Sequence, residues 1–200
     1  MFLILCGKCG SGKNAVQEKI YDKGFDPIVS HTSRPIREGE IDGIDYFFVS
    51  RDTFKDMIEN NKFVEYREYH TLVDGVPDTW YYGVSKTGFH RNKDYVVILD
   101  MNGTRDFKKY AEEEFGTNSC FVCYIDVDDD TRKERAQSRG SFNEPEWNRR
   151  VDADKNDFRE EVLDELCDIR VSNDSKLESC VNLILRKFKK YKEKVQEDRL

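Results

Sequence analysis

The chain has 200 residues, of which 36% are charged, and its formal net charge at pH 7 is −7. This length suits one domain with a substantial core, and the acidic balance argues against a protein that wraps nucleic acid or lies on an anionic membrane. No segment approaches the ~18 consecutive apolar residues of a membrane span, and the apolar N-terminal stretch is too short for a signal peptide. We therefore expect a soluble cytoplasmic protein in which any positively charged site is local.

The first predicted element is a short apolar strand over 2–6, which runs into a glycine-rich turn and then a helix. The turn fits the spacing G-x-x-x-x-G-K and consists of Gly7, Lys8, Cys9, Gly10, Ser11, Gly12 and Lys13. The backbone N–H groups of such a loop bind phosphate oxygens, and the helix N-terminus and the lysine add positive charge. Asn14 departs from the motif, because a Ser or Thr that binds Mg²⁺ normally follows the lysine. The sequence therefore predicts a phosphate-binding loop with an altered metal shell.

Short apolar runs then alternate with longer amphipathic stretches, which is the pattern of βαβ units on a parallel sheet. Two short runs, over 46–49 and 63–66, alternate in polarity and predict a small, half-exposed antiparallel sheet inserted into the parallel core. We expect the end of the last helix, from Lys189 onward, to fray. The predicted elements after the phosphate-binding loop are a helix to about 22, strands over 27–30 and 46–49, a helix over 51–60, strands over 63–66 and 95–100, a helix over 104–114, a strand over 120–125, charged helices over 128–165, a strand near 169–172 and a final amphipathic helix.

The cysteines show C-x-x-C spacing twice, at Cys6 and Cys9 and again at Cys120 and Cys123. Two such pairs are also found in zinc ribbons. However, Cys9 lies inside the phosphate-binding loop, and strand alternation sends Cys120 and Cys123 to opposite faces of a sheet. Four thiolates would not converge from these positions, so we expect reduced, mostly buried cysteines.

Asp100 ends an apolar strand of the predicted parallel sheet. A carboxylate at this position, downstream of a phosphate-binding loop, commonly faces Mg²⁺ or its water shell. Asn102 and Gly103 follow closely, so a role as a helix cap or turn residue is the alternative. The phosphate-binding loop favours the functional interpretation.

A second group of residues is suited to holding another phosphate. Arg34 and Arg37 are three residues apart in a turn stiffened by proline, and two arginines so placed can converge on one phosphate. Tyr46 and Tyr82 can add hydroxyl donors to the same oxygens. Glu65, at the end of an inner strand, can accept hydrogen bonds from a ring N–H and an exocyclic amine, which guanine presents. Each residue alone is better explained as a surface residue, but together they predict a second phosphate-binding region.

The third group is a run of arginines in the charged helical stretch. Phosphoryl transfer concentrates negative charge on the transferred oxygens, and arginines on a closing lid neutralise it. A charged helical run is usually only a solvated face, but the break at Arg139 and Gly140 predicts a hinge. The arginines concerned are Arg132, Arg135, Arg139, Arg149 and Arg150.

These residues resemble the guanylate kinase family over nearly the whole chain. The most specific stretch runs from Ser30 through Arg34 and Arg37 to the segment 45–50, and it is similar to the GMP-binding signature of that family. The resemblance implies an α/β fold with a P-loop NTPase-type parallel sheet flanked by helices, an inserted small antiparallel subdomain that binds the nucleoside monophosphate (NMP) and a helical lid. The implied boundaries are 1–30, 84–128 and 166–200 for the core, 31–83 for the NMP-binding subdomain and 129–165 for the lid.

The resemblance also implies a role for each matching residue. Lys13 and the loop from Gly7 to Asn14 would hold the phosphates of ATP, and Asn173 would lie near the adenine. Arg135, Arg139 and Arg150 would act from the lid. Asn14 and Asp100 would face Mg²⁺, and Glu65 would read the guanine edge. The residues implied to bind GMP or its phosphate are Ser30, Arg34, Arg37, Tyr46, Tyr82 and Asp100.

The chain departs from the family pattern at several positions. Asn14 replaces the Ser or Thr that is expected to bind Mg²⁺. Its amide oxygen can still serve as a metal ligand, but a weaker, neutral one. Val84 lies where Ser or Thr usually follows Tyr-Gly, so one guanine contact should be missing. Ile98 occupies a position that is often acidic, and Asn102 replaces a typical Gln. The connection over 70–80 is longer than usual and could reshape the base pocket.

Three functions follow as alternatives. The first is ATP-dependent phosphorylation of GMP or dGMP with Mg²⁺ by a monomer or homodimer that binds no nucleic acid and no membrane. The second is the same reaction on another monophosphate, favoured by Val84 and the long connection. The third is a catalytically weak, kinase-like scaffold that binds a partner; Asn14 favours it, whereas Lys13 and the lid arginines argue against it.

Overall fold

The computed structural model describes residues 1–73, 76–138 and 142–198. Elements are named in chain order within these residues. The strands are β1 (Phe2–Cys6), β2 (Asp26–Pro27), β3 (His31–Thr32), β4 (Phe47–Phe48), β5 (Phe63–Val73), β6 (Val76–Ser85), β7 (Tyr95–Ile98), β8 (Cys120–Asp126) and β9 (Ile169–Ser172). The helices are α1 (Lys13–Tyr21), α2 (Arg51–Glu59), α3 (Met101–Phe115), α4 (Asp129–Gln137), α5 (Glu144–Asp157), α6 (Glu160–Leu166) and α7 (Leu177–Glu197).

The chain divides into two compact units, described separately below. The first unit comprises Met1–Pro27 and Asn92–Leu200, and the second comprises Ile28–Arg91. No helix in the described ranges has both the length and the apolar character needed to cross a membrane.

A five-stranded parallel sheet in the order β2-β7-β1-β8-β9 forms the centre of the first unit. β1 lies in the middle, with Leu5 opposite Ile98 on one side and Cys123 on the other. Every residue of β1 is buried, which explains its continuous apolar run. Because β1 and β7 run parallel, the phosphate-binding loop and Asp100 leave the sheet at the same edge.

Helices α1 and α7 cover one face of this sheet and share a core that includes Ile20, Ile184 and Phe188. The prediction that α7 frays from Lys189 is wrong, because the helix continues to Glu197. Tyr191 lies with its ring centroid 5.0 Å from that of Phe121, and Val195 is buried. These residues extend the apolar stripe of α7 at helical spacing through the charged sequence.

The cysteines are all free thiols, as predicted, and four of the six are buried. Cys120 and Cys123 lie on β8 in the parallel sheet. In the described part of the chain, no group of three or more His, Cys, Asp or Glu side chains is arranged to hold a metal ion.

The second unit contains a four-stranded sheet in the order β4-β3-β6-β5. β3 pairs antiparallel with β6 but parallel with β4, so the predicted antiparallel sheet is mixed at one edge. The predicted strand over 27–30 is wrong, because β2 ends at Pro27 in the parallel sheet and β3 begins at His31 in this one. Helix α2 packs Phe54 against Phe63 and Tyr81, with ring centroids 4.4 and 5.4 Å apart.

The described residues of the long connection over 70–80 lie in an antiparallel strand pair, the hairpin β5–β6, rather than in a loop. β5 has 11 residues and β6 has 10, and the two strands pair antiparallel, with Tyr69 opposite Trp80. The predicted short strand over 63–66 therefore ends too early. The extra residues are rich in aromatic and β-branched types, which favour extended pairing over an irregular loop.

Candidate functional site

The phosphate-binding loop connects the end of β1 to the start of α1. Its lysine is folded over the loop in this structure. The Lys13 ammonium (Nζ) donates hydrogen bonds to the carbonyl oxygens of Gly7 and Lys8, at 2.6 and 3.0 Å. The loop itself is closed by a hydrogen bond of 3.2 Å from the Ser11 N–H to the Lys8 carbonyl. The positive charge of Lys13 therefore lies at the loop. Rotation of the side chain would bring it to a phosphate bound by the loop.

Two glycines allow this loop to form. Gly10 and Gly12 both have φ of +84°, a conformation that other residues rarely adopt. A Cβ atom on Gly10 would lie 2.7 Å from the Arg132 carbonyl oxygen, and one on Gly12 would lie 2.7 Å from the Asn173 side-chain nitrogen. Side chains are therefore excluded at both positions, which leaves the loop backbone accessible to a ligand.

Asn173 and Arg135 support the other side of the loop. The buried Asn173 amide donates to the Ser11 carbonyl at 2.9 Å, and Arg135 Nη2 donates to the Asn173 carbonyl at 2.7 Å. The second terminal nitrogen of Arg135, Nη1, is buried and has no hydrogen-bond partner among the described residues. It lies 3.8 Å from where a Cβ on Gly12 would be. An unpartnered guanidinium nitrogen beside a phosphate-binding loop is well suited to an anionic ligand.

The structure also brings Arg150 to the loop. Its Nη1 lies 3.8 Å from Cys9 Sγ, while its Nε donates to Glu146 at 2.7 Å. Arg149 also pairs with Glu146, which lies on the same helix. The predicted lid residue Arg139 lies outside the described residues, as does the predicted hinge at Gly140.

Sequence reasoning missed a direct contact between the loop and Asp154. The Asp154 carboxylate accepts a hydrogen bond of 2.9 Å from the Cys9 N–H, and Arg132 donates to the Cys9 carbonyl at 2.8 Å. Burial raises the pKa of Asp154, opposed by the Cys9 N–H and by the charge of Arg132. The sequence contained one signal for Asp154, its spacing from Arg150. The two residues are one helical turn apart and lie on the same face of the helix.

Asp100 caps helix α3. Its carboxylate accepts a 2.6 Å hydrogen bond from the Gly103 N–H, so α3 begins at Met101, earlier than the predicted 104. The capping alternative is therefore correct for one carboxylate oxygen. Asn14 is exposed on the first turn of α1. Both side chains lie at the carboxyl end of the parallel sheet.

Within the second unit, Arg34 is held by Glu40. The Arg34 guanidinium is only 4% exposed and donates to both Glu40 carboxylate oxygens, at 2.8 and 2.7 Å. Glu40 also accepts the Arg37 N–H at 2.8 Å. The hydrogen bonds from Arg34 lower the pKa of Glu40 to about 2, so the carboxylate stays ionised and fixes the guanidinium. Sequence reasoning had assigned no such role to Glu40.

Two tyrosines surround the same guanidinium. The central carbon of Arg34 lies 5.3 Å from the Tyr46 ring centroid, and the Tyr46 and Tyr82 centroids are 5.8 Å apart. The structure therefore brings together three of the predicted phosphate-binding residues. Ser30 is half-buried just before β3, and the Arg37 side chain is exposed.

Glu65 lies on β5 directly opposite Val84 on β6. Both side chains are buried, with exposures of 8% and 1%. The Arg67 guanidinium lies 4.0 Å from the Glu65 carboxylate. Directly opposed residues project from the same face of a sheet, so the predicted base-reading carboxylate and the valine at the atypical position are neighbours.

Comparison with known proteins shows the family of this chain. The family model described as guanylate kinase matches residues 1–190. A guanylate kinase from Lactobacillus delbrueckii subsp. bulgaricus is 33% identical over 147 residues, which cover 72% of this chain and 68% of the relative. A guanylate kinase crystal structure from Anaplasma phagocytophilum shares the fold, with a TM-score of 0.61 and 20% identity over 94% of this chain and 84% of the other. The chain belongs to the guanylate kinase family, the nucleoside monophosphate kinases that phosphorylate GMP with ATP.

Proposed function

We propose that this chain transfers the terminal phosphoryl group of ATP in line to GMP or dGMP, with Mg²⁺. The observation that carries the proposal is the presence of two separate cationic groups: the loop with Lys13, and the fixed Arg34 with its two tyrosines. We assign residues 1–30, 84–128 and 166–200 to a core, 31–83 to an NMP-binding subdomain and 129–165 to a lid.

On the ATP side, we assign the phosphates to the loop from Gly7 to Asn14. Lys13 leaves the loop carbonyls to neutralise charge on the transferred group. Arg135, Arg139 and Arg150 add positive charge from the lid segment, and the unpartnered Arg135 nitrogen supports this role. Asn173 holds the Ser11 carbonyl and is placed on the adenine side.

On the acceptor side, the GMP phosphate is bound by a group that contains the fixed guanidinium of Arg34. Glu65 accepts hydrogen bonds from the guanine N–H and amine, which a carboxylate can do. We also assign Asp100, which follows β7 of the parallel sheet, to the acceptor. The full set assigned to GMP is Ser30, Arg34, Arg37, Tyr46, Glu65, Tyr82 and Asp100.

The residues present are compatible with Mg²⁺. Mg²⁺ keeps several water ligands and uses one or two protein oxygens together with substrate phosphates. Asn14 offers an amide oxygen, and Asp100 offers a carboxylate. When bound, the metal would neutralise charge on the phosphate oxygens. Because Asn14 is neutral, we expect weaker metal binding than with a second carboxylate.

The reaction needs no covalent intermediate and no dedicated base, because the acceptor phosphate is already a nucleophile. The protein's contribution is alignment of the two phosphates and neutralisation of the transferred charge. Water must also be excluded, because it would otherwise accept the phosphoryl group from ATP.

The ligands we propose are free nucleotides, not nucleic acid, and we propose a cytoplasmic monomer or homodimer that does not associate with membranes. The net charge of −7 supports this assignment, since it disfavours binding to polyanions outside a local cationic site.

The base pocket is tested by replacing Val84 with threonine. Threonine has nearly the same shape as valine and adds a hydroxyl group beside Glu65, so the KM for GMP should fall by about twofold to tenfold, the value of one hydrogen bond. The measurement is the steady-state rate against GMP concentration at saturating ATP. Val76→Thr is the control, because this residue lies at the far end of the same strand, β6, and is exposed. A higher KM for Val84→Thr would show that guanine does not reach Val84.

A further inference from the structure

The backbone of Cys9, in the middle of the phosphate-binding loop, is held at its N–H and at its carbonyl oxygen by side chains from two helices. Asp154 on α5 accepts its N–H at 2.9 Å. Arg132 on α4 donates to its carbonyl oxygen at 2.8 Å, and the same Arg132 nitrogen lies 3.3 Å from the Asp154 carboxylate. The three groups form a closed ring of contacts around one backbone unit.

This ring is buried. The Arg132 side chain is 1% exposed and that of Asp154 is 14% exposed. Arg132 also pairs with Asp129 at 2.6 Å, and its guanidinium lies 5.7 Å from the centroid of the Trp147 ring. A buried charge pair of this kind contributes little net stability, because desolvation offsets much of the attraction. Stability of the fold alone is therefore a weak explanation for placing it here.

The position of the ring in the loop suggests a different purpose. Gly10, directly after Cys9, packs so closely on the Arg132 backbone that a Cβ would lie 2.7 Å from its carbonyl oxygen. The residues that follow, up to Lys13, carry the N–H groups and the charge assigned to ATP. A shift of Cys9 would move all of these groups relative to the triphosphate.

We propose that Arg132 and Asp154 are positioning residues for ATP, which hold the Cys9 peptide so that the phosphate-binding loop is preorganised before the nucleotide arrives. The inference rests on the proposed function, since it assigns the loop to ATP. Preorganised donors bind a ligand without the cost of ordering them, so loss of the ring should weaken ATP binding specifically.

The opposite role for Asp154 is competition with ATP for the loop. A carboxylate on a loop N–H could imitate a phosphate oxygen and compete with ATP. The pairing with Arg132 argues against this, because displacing Asp154 would leave a buried arginine without one of its carboxylate partners. The two roles predict changes of opposite sign in ATP affinity.

The test is a double variant, Arg132→Leu with Asp154→Ala, which removes both charges and leaves neither buried partner alone. Calorimetric titration should show an affinity for ATP that is about tenfold to 100-fold weaker than that of the wild type. The KM for ATP should rise by about the same factor. The KM for GMP should stay at the wild-type value. Asp152→Asn is the matched control, because it removes a carboxylate from the same helix that pairs with Lys155 in solvent.

Thermal unfolding of each variant separates positioning from folding. Unchanged ATP affinity in a folded double variant would overturn the inference, and tighter ATP binding would establish the competing role for Asp154. If the double variant does not fold, Asp154→Leu carries the same test, because leucine is close to aspartate in size and cannot accept the Cys9 N–H. Wild-type protein that binds no ATP would overturn the proposed function and this inference together.

Discussion

Replacing Lys13 with alanine should lower the rate of phosphoryl transfer on the order of 10²- to 10³-fold, the typical loss for one preorganised group that stabilises the transition state. The lysine covers two loop carbonyls and is partly exposed, so its removal leaves no core cavity. The measurement is the initial rate of ADP formation at saturating ATP and GMP, together with the thermal unfolding midpoint, which should hardly change.

Lys19→Ala is the control for this variant. Lys19 lies in the last turn of the same helix, and its side chain is exposed. It removes the same charge from the protein without touching the phosphate-binding loop, so its activity should equal that of the wild type. Full activity in Lys13→Ala would show that the loop does not bind the transferred phosphate.

Replacing Arg34 with alanine should raise the KM for GMP by about tenfold to 100-fold, because a buried, charge-assisted contact to the phosphate is lost. ATP affinity should be unchanged, since the loop that binds it belongs to the other unit of the chain. The alanine variant also leaves Glu40 without its partner and can destabilise the second unit. Arg34→Lys keeps the charge but loses the bidentate hydrogen bonding of the guanidinium. It should therefore raise the KM for GMP with little loss of stability.

The matched control is Arg51→Ala, on α2 of the same unit. Arg51 pairs with Asp78 and its side chain is 47% exposed. Its removal should leave the KM for GMP unchanged. If the two alanine variants raised that KM equally, Arg34 would not be a ligand of the phosphate.

The phosphate-binding loop and the parallel sheet were predictable from sequence because both depend on local patterns. The loop is encoded within seven consecutive residues, and a strand buried on both faces, such as β1, reads as an unbroken apolar run. Asp100 was predictable from its position after such a strand, although β7 itself ends at Ile98. Its capping of α3 was recognised as an alternative, because Gly103 follows three residues later.

The contacts that sequence reasoning missed join residues far apart in the chain. Asp154 and Cys9 are separated by 145 positions, and Arg132 and Cys9 by 123. In the local sequence of α5, only the spacing of one helical turn from Arg150 sets Asp154 apart from the surrounding exposed carboxylates. Only the packing of α4 and α5 onto the loop gives this residue its role.

The hairpin β5–β6 was mispredicted for a related reason. Its outer half is long and mixed in polarity, so neither strict alternation nor an apolar run marks it as strand. Pairing between the two strands, rather than either segment alone, stabilises it. The same holds for β2 and β3, which are too short to show a period and are defined by the strands they join.

The most direct test of the account is the initial rate of ADP formation from ATP and Mg²⁺ with each of GMP, dGMP, AMP, CMP, UMP and dTMP. The account predicts rapid turnover with GMP and dGMP and only background rates with the other four. Faster turnover with another monophosphate would contradict the assignment of Glu65 as the guanine reader and direct attention to Val84 and the hairpin. Background rates with all six, from folded protein, would contradict the proposed transfer itself.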